Sequence, residues 1–139
     1  MNRPPHHEKI HQLALDLVNN EDLDMELHIY NQIKDVCETH EGTILDHPFQ
    51  WETLADFTLE NDRNAVKIYF KALKLATKGN LTEYVASINL AIAERYMELE
   101  NFNKAWSFAN AANQAAESSN DLALKQEIIE ILLESAEYT

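Results

Sequence analysis

Residues 89–117 read NLAIAERYMELENFNKAWSFANAANQAAE, and the alternation of large and small side chains in this stretch decides the fold. Ile92, Ala93 and Tyr96 fall three and four apart on a first helix, which places them on one face. Phe102, Ala105, Ala109 and Ala112 form a matching stripe, mostly of small residues, on a second. Alanine at these points lets two helix backbones approach closely while the large residues fill the grooves beside them. The spacing predicts a helical hairpin built to stack on others, a packing unit and not a catalytic one.

Working outward, the same spacing returns along the chain. Pro5 suits the first turn of a helix that runs to Val18, after a loose stretch over residues 1–4, with Ile10, Leu13, Ala14 and Leu17 as its inner face. Leu23, Leu27, Tyr30, Ile33 and Val36 mark a second helix, which Gly42 ends. Pro48 opens a third, carrying Trp51, Leu54 and Ala55, and Ala65, Tyr69 and Ala72 define a fourth. Gly79 reads as a helix stop, and Asn80 with Glu83 has the spacing of a capping box. Asn120 is the N-cap candidate for a seventh helix with no partner helix. Tyr30, Trp51 and Tyr69 are expected in the core.

Internal repetition ties the hairpins together. HIYNQIKDVC (28–37) lies on KIYFKALKLA (67–76), an offset of 39, and LENDRNAV (59–66) lies on LENFNKAW (99–106), an offset of 40. Similar pieces about forty residues apart indicate a solenoid of stacked hairpins. The series Ile92, Ala93, Tyr96, Phe102, Ala105, Ala112 resembles the tetratricopeptide repeat in its long-helix form, over roughly residues 10–117. The match is clearest in the third hairpin and degenerate in the first. Glu26 stands where the second helix usually has Ala, the turn after Thr58 is two residues short, and no repeat ends in the customary Pro. The expected architecture is one all-α domain over residues 1–139: an α-solenoid of three hairpins (5–39, 48–78, 81–118) with a capping helix (121–137), about seven helices in all.

Composition narrows the function classes. Two glycines and three prolines leave little turn material for an all-β chain. A net charge of −13 argues against nucleic acid and anionic membranes as partners, since both need a cationic face. A lone cysteine, Cys37, excludes an intrachain disulfide and reads as a small buried thiol. With no signal-like or membrane-spanning apolar run, a cytoplasmic location is expected.

Enzymatic chemistry finds no support: no glycine-rich phosphate loop and no nucleophile with a base is evident. His7, Glu8 and His11 form a literal H-E-x-x-H, the spacing of a zinc hydrolase helix. The match begins two residues after Pro5, encloses Lys9 and has no third ligand placed by spacing, so it reads as a solvent-facing histidine pair, and no metal or cofactor is expected. The resemblance implies instead a concave groove, lined by the first helix of each hairpin, that binds a segment of another protein. Counted from the small residues, the groove positions are His11, Leu15, Glu52, Asp56, Leu90, Glu94, Met97 and Glu98. The Lys and Asn clamp with which some members of the family hold a chaperone's C-terminal carboxylate is absent from them. Four carboxylates interleaved with Leu15, Leu90 and Met97 suit a basic, partly apolar segment. The alternative is a structural homo-oligomer assembled through Leu124, Ile128, Ile131 and Leu132 of the last helix, whose apolar residues spread around more than one face.

Overall fold

Seven α-helices account for the regular structure of residues 3–139, which the computed structural model describes: α1 (His7–Val18), α2 (Leu23–His40), α3 (Pro48–Asp56), α4 (Asp62–Lys78), α5 (Thr82–Glu98), α6 (Phe102–Ala115) and α7 (Leu122–Ala136). Of the stretch expected to be loose, residues 1 and 2 lie outside the described residues. No strand occurs among the described residues, so the chain is all-α. Each helix packs on its sequence neighbours, and α1, α3, α5 and α7 also touch one after another, so the odd-numbered helices form a row. The seventh helix is not partnerless: it packs on α6 and α5.

The hairpin at residues 89–117 is organised as its sequence predicts. Ile92, Ala93, Ala105, Ala109 and Ala112 are wholly buried, and Tyr96 and Phe102 are half-buried. Helix α5 is covered on two sides. Ile88 and Ile92 belong to a core shared with α1–α4, whereas Ala86, Leu90 and Ala93 belong to a second core shared with α6 and α7. Phe108 packs against both cores, with its ring 5.6 Å from those of Tyr96 and Phe70. Trp51 and Tyr69 are buried, and Tyr30 packs at the core edge with its hydroxyl 2.7 Å from that of Thr58. Cys37 is buried with its Sγ 3.3 Å from the Gln50 carbonyl, and burial pushes its thiol up to about 12, which keeps it unreactive.

Several boundaries differ from expectation. Pro5 lies in a turn before α1, and His7 begins the helix. Asn80 does not cap α5. It sits at φ 53, and the Leu81 and Asn80 N–H groups donate to Ala76 and Thr77, so Asn80 closes α4 in a Schellman turn while Gly79 keeps an ordinary φ of −87. The next turn repeats the device with Glu100 at φ 56 and the Asn101 N–H donating to Tyr96. Asp121, one residue later than Asn120, caps α7 by accepting from the Leu124 N–H. Leu23 and Leu27, whose spacing helped to mark the second helix, are exposed, because no further helix packs on the open side of the first hairpin.

The short turn after Thr58 has its counterpart in Arg95. Its guanidinium donates to the carbonyls of Thr58 (2.8 Å), Ala55 (3.1 Å) and Asp56 (3.4 Å) and pairs with Asp62 at 3.1 Å. Those carbonyls lie at and just beyond the end of α3, where Ala55 also accepts the Thr58 N–H, and a cation there complements the helix dipole. Arg95→Ala should lower stability by about 2–4 kcal/mol, with urea unfolding as the measure, because it strands buried acceptors. Glu100→Gly should raise it by about 0.5–1 kcal/mol, since glycine takes positive φ without the Cβ clash.

Candidate functional site

The row of odd-numbered helices leaves two adjoining concavities between α3, α5 and α7. One, of about 290 Å³, is lined by Glu52 and Asp56 of α3, Ser87, Leu90, Ala91 and Glu94 of α5, and Asp121, Ala123, Leu124 and Glu127 at the start of α7. The other, of about 520 Å³, is lined by Glu94, Met97, Glu98 and Glu100, by Phe102 of α6, and by Ile131, Glu134 and Tyr138. Glu94 belongs to both and joins them into one acidic trough. No Lys or Arg lines either part among the described residues.

Helical periodicity explains who faces inward. On α3, Glu52 and Asp56 are four apart, and on α5, Leu90, Glu94 and Met97 follow steps of four and three. The opposite wall is built by Glu127 and Glu134, seven apart on α7. Six of the eight expected groove residues therefore come together: Glu52, Asp56, Leu90, Glu94, Met97 and Glu98. His11 and Leu15 line neither part and stand exposed on α1. Leu90 is only 4% exposed and belongs to the second core, so it forms floor and offers no anchor. The apolar surface available is the half-buried Met97 and the Phe102 and Tyr138 rings, stacked 4.4 Å apart.

Sequence reasoning missed Ser87, Asp121, Glu127, Glu134, Phe102 and Tyr138, because it treated α7 as a cap and not as a fourth member of the inner row. The seven-residue spacing of Glu127 and Glu134 beside Leu124 and Ile131 was the available signal. The oligomer surface needs correction for the same reason. Ile128 and Ile131 are core residues, and Leu124 and Leu132 pack against that core, so all four are engaged within the chain. The apolar residues that α7 does expose are Leu122, Ile129 and Leu133. His7 also departs from expectation: its ring stacks on Phe49 with centroids 5.2 Å apart, and on His11 at 5.7 Å. Among the described residues no group of three or more His, Cys, Asp or Glu side chains is placed to hold a metal ion.

Burial shapes the electrostatics, with neighbouring carboxylates adding to it at Glu52 and Glu94. Burial pushes the Glu52 carboxyl up to about 7, with the Asp56 charge adding to it and the Ser87 hydroxyl, which donates at 2.5 Å, opposing it. Burial also raises Asp56, against the opposing pull of the Tyr69 hydroxyl that donates to it and of Arg95. Glu94 is raised by burial and then by Glu127 and Asp56. Asp56 and Glu94 keep open paths to solvent while protein surrounds their carboxyls on several sides, as befits groups in a concavity. Tyr84, beside Glu52, is likewise pushed up, by burial and then by that charge.

Protein-family models, curated proteins and solved structures give no match to this chain, so its own residues carry the functional argument. No helix among the described residues is long and apolar enough to cross a membrane.

Glu52 yields a signed prediction. Its folded value lies above the ordinary 4.5, so ionisation destabilises the fold above about pH 7, and that cost disappears as pH falls toward 4.5. Glu52→Gln keeps an acceptor for Ser87 and removes the charge. Urea unfolding at pH 8 should show the variant more stable by about 1–2 kcal/mol, a gain that shrinks at pH 5.

Proposed function

We propose that this chain is a non-enzymatic protein-interaction module of tetratricopeptide-like construction, which takes a basic segment of a partner protein into the trough between α3, α5 and α7. The carrying observation is that Glu52, Asp56, Glu94, Glu98, Glu127 and Glu134 line two concavities that share Glu94, with no cation among the lining residues of either. Burial outweighs the partial relief that Ser87, Tyr69 and Arg95 give, and the raised Glu52, Asp56 and Glu94 carboxyls register the cost. A Lys- or Arg-bearing segment offsets that cost directly. Fixed carboxylates on low-dielectric walls would also speed its approach. Met97 and the Phe102–Tyr138 stack offer an apolar contact beside the charges, where an aliphatic or aromatic side chain of the segment would rest.

A peptide array of natural protein segments tests this reading. Segments carrying two or more Lys or Arg around an apolar residue should be enriched, and their affinity should fall with salt. Because cation binding favours ionised Glu52, affinity should rise with pH through about 7. Glu94→Lys with Glu127→Lys should weaken binding at least about tenfold, the scale of one lost close charge pair, and leave the thermal melt unchanged or slightly raised. Enrichment of acidic segments, or unaltered binding by the double variant, would reject the trough as the binding surface.

A further inference from the structure

Five of the six histidines, His6, His7, His11, His40 and His47, are linked around the place where α1 and α2 meet the start of α3. His6, just before α1, stacks on His40 in the last turn of α2 with centroids 4.3 Å apart. His7 stacks on Phe49 in the first turn of α3. Phe49 is in turn positioned by His47, whose Nδ1 accepts the Phe49 N–H at 3.0 Å and so caps α3. His6 Nε2 and His7 Nδ1 are buried with no hydrogen-bond partner among the described residues. His6 on His40 thus ties the start of α1 to the end of α2, and His7 on Phe49 crosses to α3 at the edge of an apolar core, where α1 and α2 meet only each other and α3.

We propose that this junction is a proton-operated latch: protonation of His6 against His40 loosens α1 from α2, and protonation of His47 at its capping nitrogen loosens both from α3, while α4, α5 and α6 stay packed. Each protonation acts through a specific contact. A proton on His47 Nδ1 turns the acceptor into a donor facing the Phe49 N–H, so the cap is lost and Phe49 is no longer held under His7. A proton on His6 places a cation against a second imidazole, with Lys9 also nearby.

The charged and titratable neighbours set the sign. His6 faces His40 from α2 and Lys9 from α1, and no carboxylate contributes to its shift. His47 faces Asp46 from the linker and the edge of Tyr84 from α5, with Glu52 beyond that ring. Asp46 favours the cation but is already engaged, accepting from Trp51 Nε1 at 2.7 Å and the Gly42 N–H at 2.9 Å. Burial holds His6 below the ordinary 6.5, with His40 and Lys9 adding to it, and burial holds His47 below it against Asp46. The folded junction therefore binds fewer protons than the open one. Its stability is complete above 6.5 and declines as pH falls below that value. Glu52 has the opposite sign, so acid-driven opening does not come from the trough.

Hydrogen exchange followed by mass spectrometry on the full chain at pH 7.5 and 5.5, corrected for intrinsic exchange rates, tests the latch. Segments of α1 and α2 should open more at pH 5.5, by up to about tenfold for each histidine that takes its proton only on opening, since pH 5.5 lies one unit below the ordinary 6.5, while α5 and α6 keep their protection. His47→Asn retains a capping oxygen with no proton to gain, and His6→Phe retains the stack, so the double variant should stay closed at pH 5.5. His47→Asn alone should lose part of the response, which decides the matter if the double variant does not fold. His28→Gln, exposed on α2 outside the cluster, should respond as the native chain does. The latch is overturned by unchanged α1 and α2 protection in the native chain, by a full response in His47→Asn, or by loss of the response in His28→Gln.

Discussion

One guanidinium sets the register of the middle of this molecule. Helix α3 is only nine residues long, and the carbonyls at and just beyond its end keep acceptor capacity that the following turn does not fill. Arg95 of α5 reaches across to three of them and to Asp62 in the first turn of α4, with its side chain 13% exposed. A planar fork of donors can serve several acceptors at once, as a lysine ammonium on a flexible stem cannot. Helices α3, α4 and α5 are therefore fixed relative to one another by a single side chain. Asp56, one of the trough carboxylates, is the residue whose backbone carbonyl Arg95 holds.

Packing completes what this contact fixes. Helix α5 is covered on two sides, and it divides the interior into two cores with Phe108 reaching both. The small residues of α6 make this possible, because Ala105, Ala109 and Ala112 bring the α6 backbone close enough to close the second core with α7. The turns on either side of α5 are Schellman turns that place Asn80 and Glu100 at positive φ. Asparagine tolerates that conformation, but a glutamate there is strained and is held by the packing of the helices it joins.

Two groups of titratable residues occupy opposite ends of the electrostatic scale. The trough crowds carboxylates, whose cost is relieved by protons or by a cationic partner. The junction at α3 gathers imidazoles, and burial disfavours the charged form of His6 and His47 among them. Acid therefore stabilises one region and loosens the other. The cause in both is withdrawal of charge from water, which outweighs the partners each group has.

The sequence by itself determined the helices, their number and the burial of the third hairpin, because a 3.6-residue period and an alternation of Ala with large residues constrain local packing directly. It also placed Glu52, Asp56, Glu94, Met97 and Glu98 on a shared face, since spacing along a helix fixes direction. Only the tertiary structure decided that α7 is the second wall of the trough, which put Glu127 and Glu134 opposite Glu94 and drew Ile128 and Ile131 into the core. It alone turned Leu90 into floor, left Leu23 and Leu27 exposed, and joined His6 to His40 across more than thirty residues. Periodicity reports which side of a helix is apolar. What lies against that side depends on where the other helices arrive, and contacts between residues distant in the chain leave no local pattern.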